Sequence, residues 1–152
     1  RDSRCGARRA MSPVLVDSSA VVSAVLERGL PRSTAQALSK SSALIVSRLA
    51  LVETARALRR ARAESRISDK GFAKAEQDVM EFWSRCEIWE LTRQICTEAM
   101  TLAPDTALRT LDAIHLATAL VARKRFPRVR LLTMDTRMRD AAVSLGIQMI
   151  RT

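Results

Sequence analysis

Aromatic side chains are nearly missing from this 152-residue chain, at 3% of its composition and with no tyrosine. Platforms for stacking bases are therefore scarce, and any contact with a nucleic acid must rely on backbone and shape. Glycine is rare too: Gly6, Gly29, Gly71 and Gly146 stand too far apart to build a phosphate-cradling loop or a dinucleotide fingerprint. One histidine, His115, and three cysteines at no metal-binding spacing exclude a zinc site rich in His or Cys. Cys5, Cys86 and Cys96 read as reduced thiols, with Cys86 and Cys96 expected to be buried. No apolar run approaches the ~18 residues that span a bilayer.

What is present describes a globular domain: 47% apolar and 28% charged residues in a length that suits a single core. Residues 1–10 carry four arginines against Asp2 and are expected to be a disordered extension, leaving one domain over 11–152. Basic residues outnumber acidic ones 26 to 16, for a net charge of +10. Removing the +3 of residues 1–10 leaves +7, so the excess belongs to the folded part. Such an excess favours a polyanionic or acidic partner, or serves as a solubilising surface.

Short apolar, β-branched runs over 14–16, 44–47, 87–91, 129–133 and 147–150 predict strands. Helical periodicity fills 18–28, 32–40, 48–64, 68–83, 92–103, 110–124 and 136–145. Gly29 with Pro31, Pro104, Pro127 and Gly146 punctuate these elements. Strands alternating with helices predict an α/β fold with a mostly parallel sheet covered on both faces.

Carboxylates stand at the ends of these strands although the chain is poor in acid. Asp17 follows Val14-Leu15-Val16, and Asp135 follows Leu131-Leu132-Thr133-Met134; each precedes a helix and suits an N-cap. Each also stands at the carboxyl edge of a parallel sheet, where ligands bind in such folds. Asp112 opens the helix Leu111-Asp112-Ala113-Ile114-His115-Leu116-Ala117, apolar nearly all round, with Thr110 available as its cap. Glu53 is less distinctive, because Arg56 lies three residues on and could pair with it. Converging carboxylates repel one another, and a divalent cation held by oxygen, Mg²⁺ or Mn²⁺, offsets that repulsion.

Four segments, Val-Asp-Ser-Ser-Ala, Val-Glu-Thr-Ala-Arg-Ala-Leu, Leu-Asp-Ala-Ile-His-Leu-Ala-Thr-Ala and Leu-Leu-Thr-Met-Asp-Thr-Arg-Met, resemble in order the acidic motifs of PIN-domain nucleases, above all the VapC toxins. The likeness covers residues 13–150. It implies a three-layer α/β/α domain on a sheet of four to five strands, with endoribonuclease activity dependent on Mg²⁺ or Mn²⁺. It further implies a homodimer in the bacterial cytoplasm, neutralised by a small antitoxin that covers the cleft. By position, Asp17, Glu53, Asp112 and Asp135 fall on the family's catalytic and metal-binding quartet, with Ser19 and Thr133 in support. An RNA-binding domain without catalysis is the alternative. A phosphoacceptor receiver fits less well, since Asp17 has no acidic neighbour and the expected late lysine is absent.

Other residues invite a role. His115, one turn after Asp112, is expected to be a satisfied structural histidine outside the catalytic set. Two arginine-rich stretches, Arg56 to Arg66 and Arg123 to Arg130, read equally as solvated faces or RNA contacts. Phe72, Phe82, Trp83 and Trp89 suit core packing, while Val21, Val22, Val25 and Leu26 could meet a second subunit or an antitoxin.

Overall fold

Three apolar side chains in succession, Val14-Leu15-Val16, suit a strand with no face open to water. All three are buried, and their sides alternate: Leu15 joins a cluster with Ile45, Leu116 and Leu131, whereas Val14 and Val16 join another with Val46, Leu58 and Leu132. The computed structural model describes residues 11–27, 29–102 and 108–152. The expected extension over 1–10 and the helix stop at Pro104 lie outside the described residues.

Five strands form one sheet: β1 (Val14–Val16), β2 (Leu44–Ser47), β3 (Cys86–Trp89), β4 (Arg130–Leu132) and β5 (Gln148–Met149). Their order is β3-β2-β1-β4-β5, and every neighbouring pair is parallel. The helices among the described residues are α1 (Ser18–Leu26), α2 (Arg32–Ser39), α3 (Arg48–Ala63), α4 (Asp69–Ser84), α5 (Arg93–Thr101), α6 (Thr110–Arg125) and α7 (Thr136–Ser144). One face of the sheet packs against Val21 of α1, Leu58 of α3 and Phe72 and Val79 of α4. The other packs against Leu116 and Leu120 of α6 and Met138 and Ala141 of α7. The expected three-layer α/β/α architecture is borne out.

The all-round apolar character of α6 has a simple cause: the sheet covers one side and α5 lies along another, so His115 to Leu120 are buried without a break. Ile95 is the buried residue of α5. A step of about 100° along that helix turns Cys96 outward. The structure thus corrects the expected burial of both thiols, since Cys96 is exposed and Cys86 only half-buried. Burial still pushes the Cys86 thiol up to about 11, against the pull of Arg85. Gly146 does end α7, with a φ of +69° that glycine adopts freely, and Ile147 N–H returns to Ala142 O at 2.9 Å. No helix among the described residues is long and apolar enough to cross a membrane.

From β1 the chain moves outward through β2 and β3, then returns to lay β4 on the other flank of β1. The helices leaving β1 and β4 go to opposite faces, α1 to one and α7 to the other. A crevice opens at the carboxyl ends of two such strands.

Candidate active site

Asp17 stands at that crevice, where β1 gives way to α1. Its backbone is extended, with φ −82° and ψ 154°, and its carboxylate accepts the Ser19 N–H at 3.2 Å, so it does cap the helix. A cap is normally solvated, but Asp17 is only 2% exposed. Its Oδ2 also accepts the Ser19 hydroxyl at 2.5 Å and the Thr133 hydroxyl at 3.0 Å. Oδ1 is less occupied, with Ser18 Oγ at 3.4 Å and His115 Nε2 at 3.5 Å.

Thr133 follows β4, fully buried, and its hydroxyl accepts the Asp135 N–H at 3.1 Å while donating to Asp17. Ser19 Oγ accepts the Met134 N–H at 2.9 Å. Two hydroxyls therefore bind the ends of β1 and β4 through one carboxylate. Asp135 caps α7, accepting the Met138 N–H at 3.1 Å.

Asp112 occupies the first turn of α6. The expected cap from Thr110 is not seen: Arg109 is the N-cap residue and no side chain caps the helix, while the Asp112 carboxylate accepts the Arg109 backbone N–H. Burial, and then the charge of Asp135, raise its pKa above the ordinary value, with Asp17 adding to the effect. Asp135 and Asp17 are thus close enough to Asp112 to disfavour its ionisation.

Glu53 comes from the neighbouring strand's helix. Ser47 ends β2 and caps α3 by accepting the Ala50 N–H at 3.1 Å. From the second turn of α3, Glu53 points inward, and its Oε2 meets His115 Nε2 at 2.5 Å. It makes no ion pair with Arg56 among the described residues, so the pairing that spacing suggested does not form. Burial would raise the Glu53 pKa, but the hydrogen bond and charge of His115, helped by Ser18, hold it below the usual carboxylate range.

His115 is 4% exposed and lies between Glu53 and Asp17. Burial disfavours its charged form, yet the Glu53 hydrogen bond and the charges of Asp17, Glu53 and Asp112 together raise its pKa. Sequence reasoning left it outside the site, although its position three residues after Asp112 puts both on one face of α6. Ser47, whose Oγ lies 3.4 Å from His115 Nδ1, had no signal in the sequence.

Asp17, Glu53 and His115 each offer a ligand atom within 4.8 Å of the others, a spacing that could hold a metal ion. Asp112 and Asp135 flank this group from the first turn of α6 and the cap of α7. Two carboxylates with two more beside them fit a hard divalent cation, and their mutual repulsion is what such a charge relieves.

A parallel sheet that gathers acidic groups at the crevice beside its first strand defines an α/β domain with an acidic crevice. The sequence matches the PIN domain over residues 14–144, and the chain belongs to that family. Within it, the chain is similar to ribonuclease VapC45 of Mycobacterium tuberculosis, 34% identical over 137 residues that cover 90% of this chain and 93% of the relative. The fold is similar to that of VapBC2 from Rickettsia felis, solved bound to a DNA fragment from its promoter. There the TM-score is 0.65 at 14% identity, over 91% of this chain and 97% of that one. FitAcB from Neisseria gonorrhoeae gives a TM-score of 0.66 at 14% identity, over 91% and 96% of the two chains. The likeness read from the four acidic motifs is borne out.

Proposed function

We propose that the protein is an endoribonuclease dependent on a divalent cation and acts as the toxin of a toxin–antitoxin pair. The observation that carries this reading is the convergence of Asp17 and Glu53 at the carboxyl edge of the sheet, with Asp112 and Asp135 beside them. Family membership and the ribonuclease relatives support RNA as the substrate, as does the net charge of +10. The cation, Mg²⁺ or Mn²⁺, would be held by Asp17 and Glu53, with Asp112 and Asp135 completing the site. When bound, it supplies Lewis acidity and positive charge against the phosphodiester.

The chain's own groups prepare this. Ser19 and Thr133 consume one oxygen of Asp17 and leave Oδ1 turned toward Glu53 and His115. Asp112 and Asp135 add negative charge that excludes the substrate's phosphate until a cation is present. Water for the hydrolysis is oriented by these carboxylates.

A small antitoxin is the proposed partner, supported by structural relatives solved as toxin–antitoxin complexes. An apolar groove of about 320 Å³ between α1, α2 and α4, lined by Val21, Val25, Leu38 and Phe82, gives an apolar partner segment a seat. A homodimer in the bacterial cytoplasm belongs to the same proposal, and sedimentation showing only monomer at micromolar concentration removes the dimer. The deciding experiment is RNA cleavage that stops on chelation and returns with Mg²⁺ or Mn²⁺. Cleavage that continues in excess chelator overturns the cation requirement.

A further inference from the structure

The buried ring of His115 touches polar groups at both of its nitrogens, and that fixes more than its place. Ser47 Oγ accepts the Ala50 N–H at 3.1 Å, so its lone pairs are partly committed and its hydrogen is free to turn toward His115 Nδ1, 3.4 Å away. On the other side, Nε2 faces only acceptors: Glu53 Oε2 at 2.5 Å and Asp17 Oδ1 at 3.5 Å. A bare nitrogen lone pair pointed at two carboxylates is repelled by both, whereas an N–H satisfies both. Neutral with Ser47 donating to Nδ1, or charged with hydrogens on both nitrogens, the ring presents the same Nε2–H to Glu53.

We propose that His115 is a positioning residue that donates its Nε2–H to Glu53 and so holds that carboxylate in the cation site, with Ser47 fixing the ring from behind. The functional consequence rests on the cation-site reading above; the hydrogen on Nε2 does not. The role matters because Glu53 comes from a helix and not from a strand end. Asp17 is fixed by Ser19 and Thr133, and Asp135 by the helix that it caps, but the rotamer of Glu53 has His115 as its main anchor. Metal-binding carboxylates commonly depend on hydrogen bonds of this kind, and losing one lowers metal affinity about 10- to 100-fold. A ligand role for His115 would require the opposite arrangement, a bare Nε2 with the hydrogen on Nδ1.

The chain has one histidine, so its imidazole signals need no assignment. The protein, labelled with ¹⁵N-histidine and freed of metal, is observed through the two-bond couplings from ring carbon-bound hydrogens, which report the hydrogen-bearing nitrogen directly. The expected result is hydrogen on Nε2, alone or with Nδ1; hydrogen on Nδ1 alone overturns the proposal and leaves the nuclease reading intact. A second measurement follows Mn²⁺ binding to wild type, His115→Gln and His115→Leu by paramagnetic resonance of the free ion. The Gln amide can still donate to Glu53 and keeps affinity within about threefold, while Leu fills the space without a donor and loses about tenfold or more. Equal loss in both variants marks His115 as a ligand, and no loss in either marks it as packing only; each result overturns the positioning role. Wild type that binds no Mn²⁺ instead overturns the cation-site reading, and the ring spectrum still decides the hydrogen.

Discussion

Thr133 Oγ1 donates to Asp17 Oδ2 at 3.0 Å, joining the ends of β1 and β4 across 116 positions of sequence. The same hydroxyl accepts the Asp135 backbone N–H, so one buried threonine ties together two of the proposed site residues. Replacing it by Val keeps the shape and removes the hydroxyl, leaving a buried carboxylate oxygen and an N–H short of partners. A loss of about 1–3 kcal/mol is expected, with Thr133→Ser close to wild type. Denaturant titration of the two variants decides it; equal stability of Val and wild type would show that the hydroxyl is not needed.

Asp17→Asn separates the two duties of that residue. Asparagine caps helices as well as aspartate does, so the fold should hold and the melting temperature should move by a few degrees at most. RNA cleavage should fall below detection, since Asn offers the cation no charge. Asp112→Asn should behave alike. Parental cleavage by either variant removes that residue from the proposed site.

A cation that binds the folded state alone stabilises it by about 2.7 kcal/mol at 100 times its dissociation constant. Mn²⁺ or Mg²⁺ should therefore raise the melting temperature of wild type with increasing concentration, and chelator should reverse the shift. Asp17→Asn should show little of it. A concentration-independent melting temperature in wild type argues against a cation site.

In the metal-free protein the His115–Glu53 pair sets a pH window. His115 is raised above its ordinary 6.5, so its contribution is complete below 6.5 and fades as pH climbs through the higher folded value. Glu53 is lowered from 4.5, so its contribution is complete above 4.5 and fades as pH drops through the lower folded value. Asp112, raised from 3.8, acts with the opposite sign and costs stability as pH rises. The melting-temperature difference between wild type and His115→Gln in chelator should peak between 4.5 and 6.5. A difference flat across pH would mean that the pair carries no charge.

Arg56 and Arg60 follow Glu53 on one stripe of α3, both exposed and without salt-bridge partners among the described residues. Arg59, Arg62 and Arg66 are already engaged by Glu76, Asp69 and Glu64. Arg56→Ala and Arg60→Ala should weaken RNA binding, raising KM with kcat little changed. Each lost phosphate contact should lower the salt slope by about 0.7 for a single strand. Unchanged slopes would assign these arginines to solubility alone.

Much of the fold was legible because its signals are local. Val14-Leu15-Val16 announces a strand covered on both faces, and Gly146 announces the end of α7, each within a few residues. Asp17 and Asp135 were legible as strand-end acids for the same reason. Glu53 was legible only through the family motif and His115 was left out of the site, because each finds its partner 62 positions away and each has a plausible local duty, an Arg56 pair or a place on an apolar helix. Cys96 misled because cysteine is usually buried, whereas the one-sided packing of α5 on α6 decides which of its residues face water.

The order β3-β2-β1-β4-β5 puts the first strand made beside the fourth. During synthesis Asp17 and Glu53 emerge early, but the groove between β1 and β4 has only one wall until residues 130–135 arrive. A nascent or truncated chain that stops before them lacks Thr133 and Asp135 and leaves the Asp17 carboxylate without its hydrogen bond from the end of β4. If the finished domain cuts RNA, its crevice is armed only once residues 130–135 have joined β1, because β4 supplies the second wall.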